Sequence, residues 1–133
     1  MRIALACLAL GSLAACGSSD TGTGPGGGES SPIVGSYTLK TADGKPLPVA
    51  FTDSSLVSGT LVVTDSGWTQ TTIVQYVAGG NPAGDTLSLS GAWAVVGSSV
   101  TLYEGASTTY TGTFTSSSVN LTTKTATVLG YTK

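Results

Sequence analysis

The sequence predicts an all-β fold, an antiparallel up-and-down barrel of about eight strands. Short runs alternate apolar and polar residues with a period of two, and Thr, Val and aromatic residues are dense within them. Gly, Asn, Asp and Pro recur between the runs, so the composition is that of strands joined by turns. Short connections favour pairing of successive strands, and closing eight strands into a barrel removes exposed edges. A β-sandwich fits the same pattern and remains the structural alternative.

The eight predicted strands follow one another with short gaps. They lie at about residues 35–41, 57–64, 68–78, 86–95, 100–103, 110–114, 119–121 and 125–131. The fourth alternates most regularly, with Leu87, Leu89 and Trp93 on one face. The third has apolar residues on both faces, so the pattern does not indicate which face is buried. Residues 79–82, Gly-Gly-Asn-Pro, are predicted to form a loop.

Glycine recurs on the apolar faces of these strands. In the second strand, Gly59 shares a face with Val57 and Leu61, by alternation. In two later hairpins the pattern Gly-x-aromatic is followed by Val-x-Leu, which forms a weak internal repeat. A glycine two residues before an aromatic residue removes a side chain where a neighbouring ring or backbone lies close. On a barrel wall, the missing side chains would also leave room inside.

The chain divides into three parts. Residues 1–15 begin with Met1 and Arg2 and continue into an apolar run of eight residues, which is shorter than the ~20 needed to span a bilayer and typical of a secretory signal peptide. Residues 16–31 are mostly Gly and Ser and predict a flexible tether. The β domain is predicted over residues 32–133.

The end of the signal segment resembles a known processing site. Leu13-Ala14-Ala15-Cys16, followed by Gly17, resembles the lipobox of bacterial lipoproteins. The resemblance implies that Cys16 is lipid-modified and becomes the first mature residue, so that the membrane is a partner of the protein. With Gly rather than Asp at position 17, it also implies a cell-envelope location, in the outer membrane of a Gram-negative host. An ordinary secretory signal with an incidental cysteine is the alternative.

Composition excludes several classes of function. The 133 residues contain no His, so His-based triads and imidazole zinc sites are absent from the sequence. The net charge is −2 with only 5 Lys+Arg, which argues against a nucleic-acid partner because such proteins neutralise phosphates with clustered cations.

The carboxylates offer little catalytic chemistry. Asp43, Asp65 and Asp85 adjoin or approach Gly in predicted turns, where Asp is common for backbone reasons. Glu104 is expected on the same face as Val100 and Leu102 and is the one candidate acid. A solvated position after the strand ends is the favoured interpretation, because an unpaired buried Glu is rare. No G-x-S-x-G, S-x-x-K or calcium-loop motif occurs. The sequence therefore predicts a protein that is not an enzyme and has no metal or cofactor.

The start of the β domain resembles a second family. Gly35-Ser36-Tyr37-Thr38-Leu39, and then Asp43-Gly44-Lys45-Pro46-Leu47-Pro48, resemble the opening of small bacterial lipocalin-like lipoproteins, and the Gly-x-aromatic hairpins are similar. Tyr37 stands where lipocalins place Trp, and the domain has no Arg. The resemblance covers most of residues 33–131.

The lipocalin-like resemblance implies a small apolar ligand or lipid in the barrel. The candidate ligand-binding residues are the aromatic and glycine residues of the expected inner face: Tyr37, Gly59, Gly91, Trp93, Tyr110, Gly112 and Phe114. Aromatic residues at such positions are more often plain core than ligand contacts. The expected function is thus a non-catalytic, lipid-anchored envelope lipoprotein that binds such a ligand. The alternative is a structural or inhibitor-like protein-interaction lipoprotein that acts through its loops, around residues 45–46 and 79–82.

Overall fold

A computed structural model describes residues 31–133, which contain ten strands and no helix. The predicted signal peptide, the lipidation site at Cys16 and all but the last residue of the predicted tether lie outside the described residues. The strands are β1 (Gly35–Ala42), β2 (Lys45–Pro46), β3 (Val49–Ala50), β4 (Ser54–Thr64), β5 (Gly67–Ala78), β6 (Asn81–Val96), β7 (Ser99–Glu104), β8 (Ser107–Phe114), β9 (Ser118–Thr123) and β10 (Val128–Thr132).

Eight of these strands form a closed antiparallel up-and-down barrel, so the predicted fold class is confirmed and the sandwich is not adopted. The barrel order is β1-β10-β9-β8-β7-β6-β5-β4, and β1 closes the circle by pairing with β4. The two short strands β2 and β3 lie in the connection between β1 and β4 and pair with those strands. The number of barrel strands is the number that the sequence predicts.

Two tight turns show how local sequence sets the topology. Asp43 and Gly44 adopt φ values of 51° and 74° at the start of the connection after β1. Gly79 and Gly80 adopt 58° and 83° between β5 and β6, as expected for two-residue hairpins that need two positive φ angles. Asn81 and the proline after it, predicted as loop, are instead the first residues of β6.

Successive turns alternate between the two ends of the barrel. We call the end at which β1 begins the closed end. Ile33 is completely buried there, and the backbone carbonyl of Ile33 accepts a 2.6 Å hydrogen bond from the Tyr37 hydroxyl. The Trp93 indole donates to the Thr64 carbonyl at 2.8 Å at the same end. We call the opposite end the mouth; the connection between β1 and β4 lies there and places Val49 in the core.

The apolar core fills the inside of the barrel. Its buried members are Ile33, Tyr37, Leu39, Ala42, Val49, Leu56, Leu61, Val63, Trp68, Val100, Leu102, Tyr110, Phe114, Val119, Leu121, Leu129 and Tyr131. Their alternation along each strand gives one buried and one wet face, as expected for an antiparallel sheet.

A β-bulge corrects one expectation about β4. The pairing of β4 with β5 shifts between Leu56 and Ser58. This one extra residue changes which residues of the strand point into the barrel on either side of the bulge. Leu56 is consequently buried, while Val57, which alternation placed on the same face as Gly59 and Leu61, is only half-buried. The structure also settles the faces of β5, because Trp68 and Gln70 point into the barrel.

Strand β6 changes partner along its length. Residues 81–91 pair with β5, whereas residues 92–96 pair with β7. Because β4 pairs with β1 only over residues 60–63, the mouth-side parts of β4, β5 and β6 project beyond the closed barrel. We call residues 54–58, 72–78 and 81–88 the extension.

Candidate functional site

A polar network lies inside the barrel, among the apolar core residues. The side-chain amide of Gln70, which is only 3% exposed, donates to the Tyr131 hydroxyl and accepts a hydrogen bond from the Tyr110 hydroxyl, both at 2.5 Å. Such a buried amide is tolerated because its polar atoms are partnered. Burial, the largest cause, raises the pKa of both Tyr110 and Tyr131 above its usual range; the hydrogen bonds to Gln70 oppose this shift.

Trp68 closes the corner at which β6 leaves β5 for β7. Its indole N–H lies 2.9 Å from the Ala92 carbonyl and 3.2 Å from the Tyr103 carbonyl. Its ring meets Tyr110 edge to face, with ring centroids 5.9 Å apart, a favoured aromatic geometry. The two carbonyls at this corner are therefore satisfied by a side chain from inside the barrel.

The predicted aromatic residues separate into two groups. Tyr37, Trp93 and Phe114 lie at the closed end, where Tyr37 and Trp93 each hydrogen-bond to a backbone carbonyl. Tyr110 lies inside the barrel on the Gln70 amide. The structure therefore does not bring the four rings together into one pocket.

The predicted glycines border neighbouring atoms rather than open space. A Cβ on Gly91 would overlap the Tyr103 carbonyl oxygen, and one on Gly112 would overlap that of Asn120. A Cβ on Gly59 would lie 3.1 Å from Leu39 Cδ2. The expectation that these glycines leave room inside the barrel is wrong, because adjacent strands and side chains already occupy the space; their expected packing role fits the geometry.

Glu104 is the last residue of β7 and is exposed to solvent. This is the solvated position that the sequence left open as an alternative. Its charge is one of the causes that raise the pKa of Tyr110, although burial contributes more.

Apolar side chains continue out of the core onto the inner face of the extension. Leu56 is buried and Val74 is half-buried against the core, whereas Tyr76 and Leu87 are 39% and 53% exposed. Register places them on one face, since Leu56 and Val74 are paired, Thr72 faces Leu87, and side chains two residues apart share a face. Exposed apolar residues that adjoin one another mark a binding surface more often than scattered ones do.

A cleft of about 730 Å³ lies at the tip of the extension. It is lined mainly by the segment between β3 and β4 and by the ends of β5 and β6: Phe51, Thr52, Asp53, Ser54, Ser55, Gln75, Tyr76, Val77, Pro82, Ala83 and Gly84. Phe51 is 47% exposed. Tyr76 belongs both to this cleft and to the apolar inner face, so the two are continuous.

The sequence did not identify Gln70, Tyr131 or the extension as candidates. A polar residue at a core position gives no hydrophobic signal, and the parity of β5 was ambiguous. The length of β5 and β6 relative to their neighbours was the available signal, because 12 and 16 residues exceed the 6 residues of β7. A hairpin that is longer than the next strand must project past it.

Within residues 31–133 there is no group of three or more Cys, Asp or Glu side chains that could hold a metal ion. The same part of the chain contains no helix that is long and apolar enough to cross a membrane. Comparison of the chain with protein-family models, with curated proteins and with solved structures gave no significant match.

Proposed function

We propose that this protein is a non-catalytic lipoprotein of the cell envelope, anchored through a lipidated Cys16, which binds a small apolar ligand or lipid at the mouth of its barrel. The observation that carries the proposal is the apolar cluster on the inner face of the extension, where Leu87 and Tyr76 are exposed next to half-buried Val74. Asp85, which is paired opposite Val74, is the charged residue on that face. A chain-like apolar molecule lying on this face would remove these side chains from water.

The mouth suits a ligand better than the centre of the barrel. Inside, Gln70, Tyr110 and Tyr131 already satisfy one another, and an entering apolar group would have to separate them at the cost of their hydrogen bonds. At the mouth, the cleft of about 730 Å³ falls within the size range of small-molecule sites. The polar residues Asp53 and Gln75 in its lining would face the polar end of an amphiphile.

The position of the tether supports this orientation. The described chain enters the barrel at the closed end, close to Ile33. This end lies opposite the mouth, so an anchor at Cys16 would be attached to the domain on the side away from the proposed site.

The proposal is tested by titrating the full protein with a fluorescent fatty acid and comparing two variants on β6. Leu87→Ser removes an apolar contact at the mouth. Val96→Ser makes the same kind of change at the closed end, where Val96 is 75% exposed. Because burying a Leu side chain contributes ~1.5–3 kcal/mol, we expect Leu87→Ser to weaken binding by about tenfold or more and Val96→Ser to leave it unchanged. Equal effects, or no binding by the unmodified protein, would contradict the proposal.

Native mass spectrometry of the full protein, released gently from a producing cell, identifies the ligand class. A copurifying small-molecule mass supports the proposal. The mass of the protein itself also reports whether Cys16 carries acyl chains.

A second candidate function is interaction with another envelope protein through the mouth-side loops. The outer face of the extension favours it, because Ile73 and Val77 are 41% and 71% exposed. Crosslinking in living cells that recovers no reproducible protein partner would count against this candidate.

A further inference from the structure

The inner face of the extension carries a carboxylate among its apolar side chains. On β6, Asp85 lies on this face between Ala83 and Leu87, because side chains two residues apart point the same way. Its partner across the sheet is Val74, and it lies diagonally opposite Tyr76, which pairs with Ala83. A molecule that lies on the apolar surface therefore also covers Asp85.

The strands around Asp85 contain no basic side chain that could neutralise it. Residues 46–123, which include all of β4 to β7, contain no Lys or Arg, and the chain contains no His. The lysines that flank this range, Lys45 and Lys124, belong to β2 and to the turn after β9. Neither of these segments pairs with the extension. The charge of Asp85, which is exposed, is therefore left to solvent and to whatever binds this face.

A second carboxylate and an aromatic ring lie at the tip of the same face. Asp53 and Tyr76 both line the cleft, together with Ala83, the residue that precedes Asp85 on the inner face of β6. Carboxylates form charge-assisted hydrogen bonds with ammonium groups, and the face of an aromatic ring attracts a cation. The tip of the extension thus offers groups that recognise a positive charge, whereas Leu87 lies further toward the barrel.

We propose that the ligand at the mouth is a single-chain amphiphile whose head is a protonated amine. The head lies at Asp85, on the side of the cleft that contains Asp53, and the chain lies along Val74 and Leu87. This inference rests on the proposed ligand-binding function and specifies the charge of the ligand.

The cost of covering a charge selects a cationic head. A neutral or anionic amphiphile on this face would shield the Asp85 carboxylate from water without giving it a partner, which is unfavourable for a charged group. One Asp85 oxygen accepts the Thr86 N–H at 2.8 Å, and the other can accept a hydrogen bond from an ammonium group. A protonated amine therefore offsets the cost that the other two kinds of head incur.

The test uses three fluorescent probes that share one alkyl chain and fluorophore and end in an amine, an alcohol or a carboxylate. We expect the full protein to bind the amine most tightly and the carboxylate about tenfold or more weakly, because reversing the ligand charge turns attraction into repulsion. The carboxylate probe still binds through its chain. Added salt should bring the three affinities closer together, since it screens charges at an exposed site.

Asp85→Asn identifies the residue that holds the head. Asn has the size of Asp, and its side-chain oxygen can still accept the Thr86 N–H. The affinity ratio of amine to carboxylate should fall about fivefold in this variant, and Asp85→Lys should reverse the order of the two probes. Asp65→Asn is the matched control, because Asp65 lies in the turn between β4 and β5 at the closed end, and it should retain the full ratio.

Each remaining outcome has a separate meaning. Equal binding of the three probes, or tightest binding of the carboxylate, overturns this inference while the proposed ligand-binding function stands. An equal loss of preference in Asp65→Asn and Asp85→Asn overturns the placement of the head at Asp85. Failure of all three probes to bind contradicts the proposed function itself, and this inference with it.

Discussion

At the scale of single residues, Gln70 is the least ordinary component of this barrel. It is the buried polar residue of the core, at 3% exposure, and it holds two tyrosine hydroxyls. If one partner in such a network is replaced, the remaining polar groups stay buried but lose their hydrogen bonds. The resulting loss of stability is larger than the net stability that the complete network contributes.

We predict that Gln70→Leu lowers the free energy of unfolding by about 2–4 kcal/mol, because Tyr110 and Tyr131 each lose the partner of a buried hydroxyl. Gln75→Leu is the matched control on the same strand: Gln75 is exposed, and we expect a change within about 0.5 kcal/mol. Urea denaturation measures both. Similar stabilities for the two variants would show that the hydrogen bonds of Gln70 contribute little.

Single residues also show how far the sequence could go. Alternation correctly placed Tyr37 and Tyr110 inside, because it is unbroken from Tyr37 to Leu39 and from Tyr110 to Phe114. Alternation could not place Gln70 inside the barrel, because a polar residue is normally assigned to the solvent-exposed face. Its neighbours on β5 did not settle the question, since apolar residues occur on both faces of that strand. The bulge at Leu56 was hidden for a similar reason: one extra residue leaves the composition of a strand unchanged while reversing its faces.

At the scale of elements, β6 combines a tight packing position with an open one. Gly91 lies directly against the Tyr103 carbonyl, where β6 passes from β5 to β7. Gly84 lies on the free part of the same strand, where an added Cβ would meet the Val74 carbonyl oxygen at an ordinary 3.6 Å.

We predict that Gly91→Ala destabilises the protein by about 1–3 kcal/mol, because backbone must move to admit the methyl group. Gly84→Ala should change stability by no more than about 0.5 kcal/mol. Thermal unfolding of the pair provides the measurement. A tolerated Gly91→Ala would mean that β6 and β7 can separate at the corner without cost.

Element boundaries were predicted less well than element identity. The run at residues 79–82 has the composition of a loop, yet two glycines with positive φ suffice for the turn. Pro82 is accommodated in β6 because its nitrogen points away from β5, on the side that β7 does not reach, so no ladder hydrogen bond is lost. Sequence composition records the presence of a proline, whereas the direction its nitrogen faces depends on register.

At the scale of the whole molecule, stability depends on keeping the enclosed phenols neutral. The pKa of Tyr131 and that of Tyr110 are both raised in the folded protein, whereas an unfolded chain has tyrosine pKa values of about 10. The fold therefore binds these protons more tightly than the unfolded chain does. The resulting stability is fully present below about pH 10 and decreases as the pH rises above that value.

We predict that the free energy of unfolding falls steeply above about pH 10, and that Tyr131→Phe reduces the slope. At pH 8 the variant should be less stable by about 1 kcal/mol, because it lacks the hydroxyl that accepts a hydrogen bond from Gln70. That difference should shrink as the pH rises, since Phe has no proton to lose. Denaturation curves between pH 8 and pH 11.5 test this prediction, and parallel pH profiles would contradict it.

The global architecture was the part most open to prediction. Eight alternating runs with short gaps specify neighbouring strands in order, and their closure follows from the penalty of leaving edges unpaired. The candidate site was less accessible, because strands β5 and β6 extend past their neighbours only as a consequence of register. The sequence suggested glycines and aromatic residues inside the barrel, whereas the exposed apolar surface lies at the mouth.

The position of Trp68 has a spectroscopic consequence. Its indole bridges two carbonyls at the point where β6 and β7 part, and it is 2% exposed, so its emission is shielded from solvent quenchers. Any molecule that widens this corner exposes the indole and shifts its fluorescence to longer wavelength. Because Trp93 at the closed end also emits, replacing it with Phe leaves Trp68 as an intrinsic optical probe of the junction between the barrel and the extension.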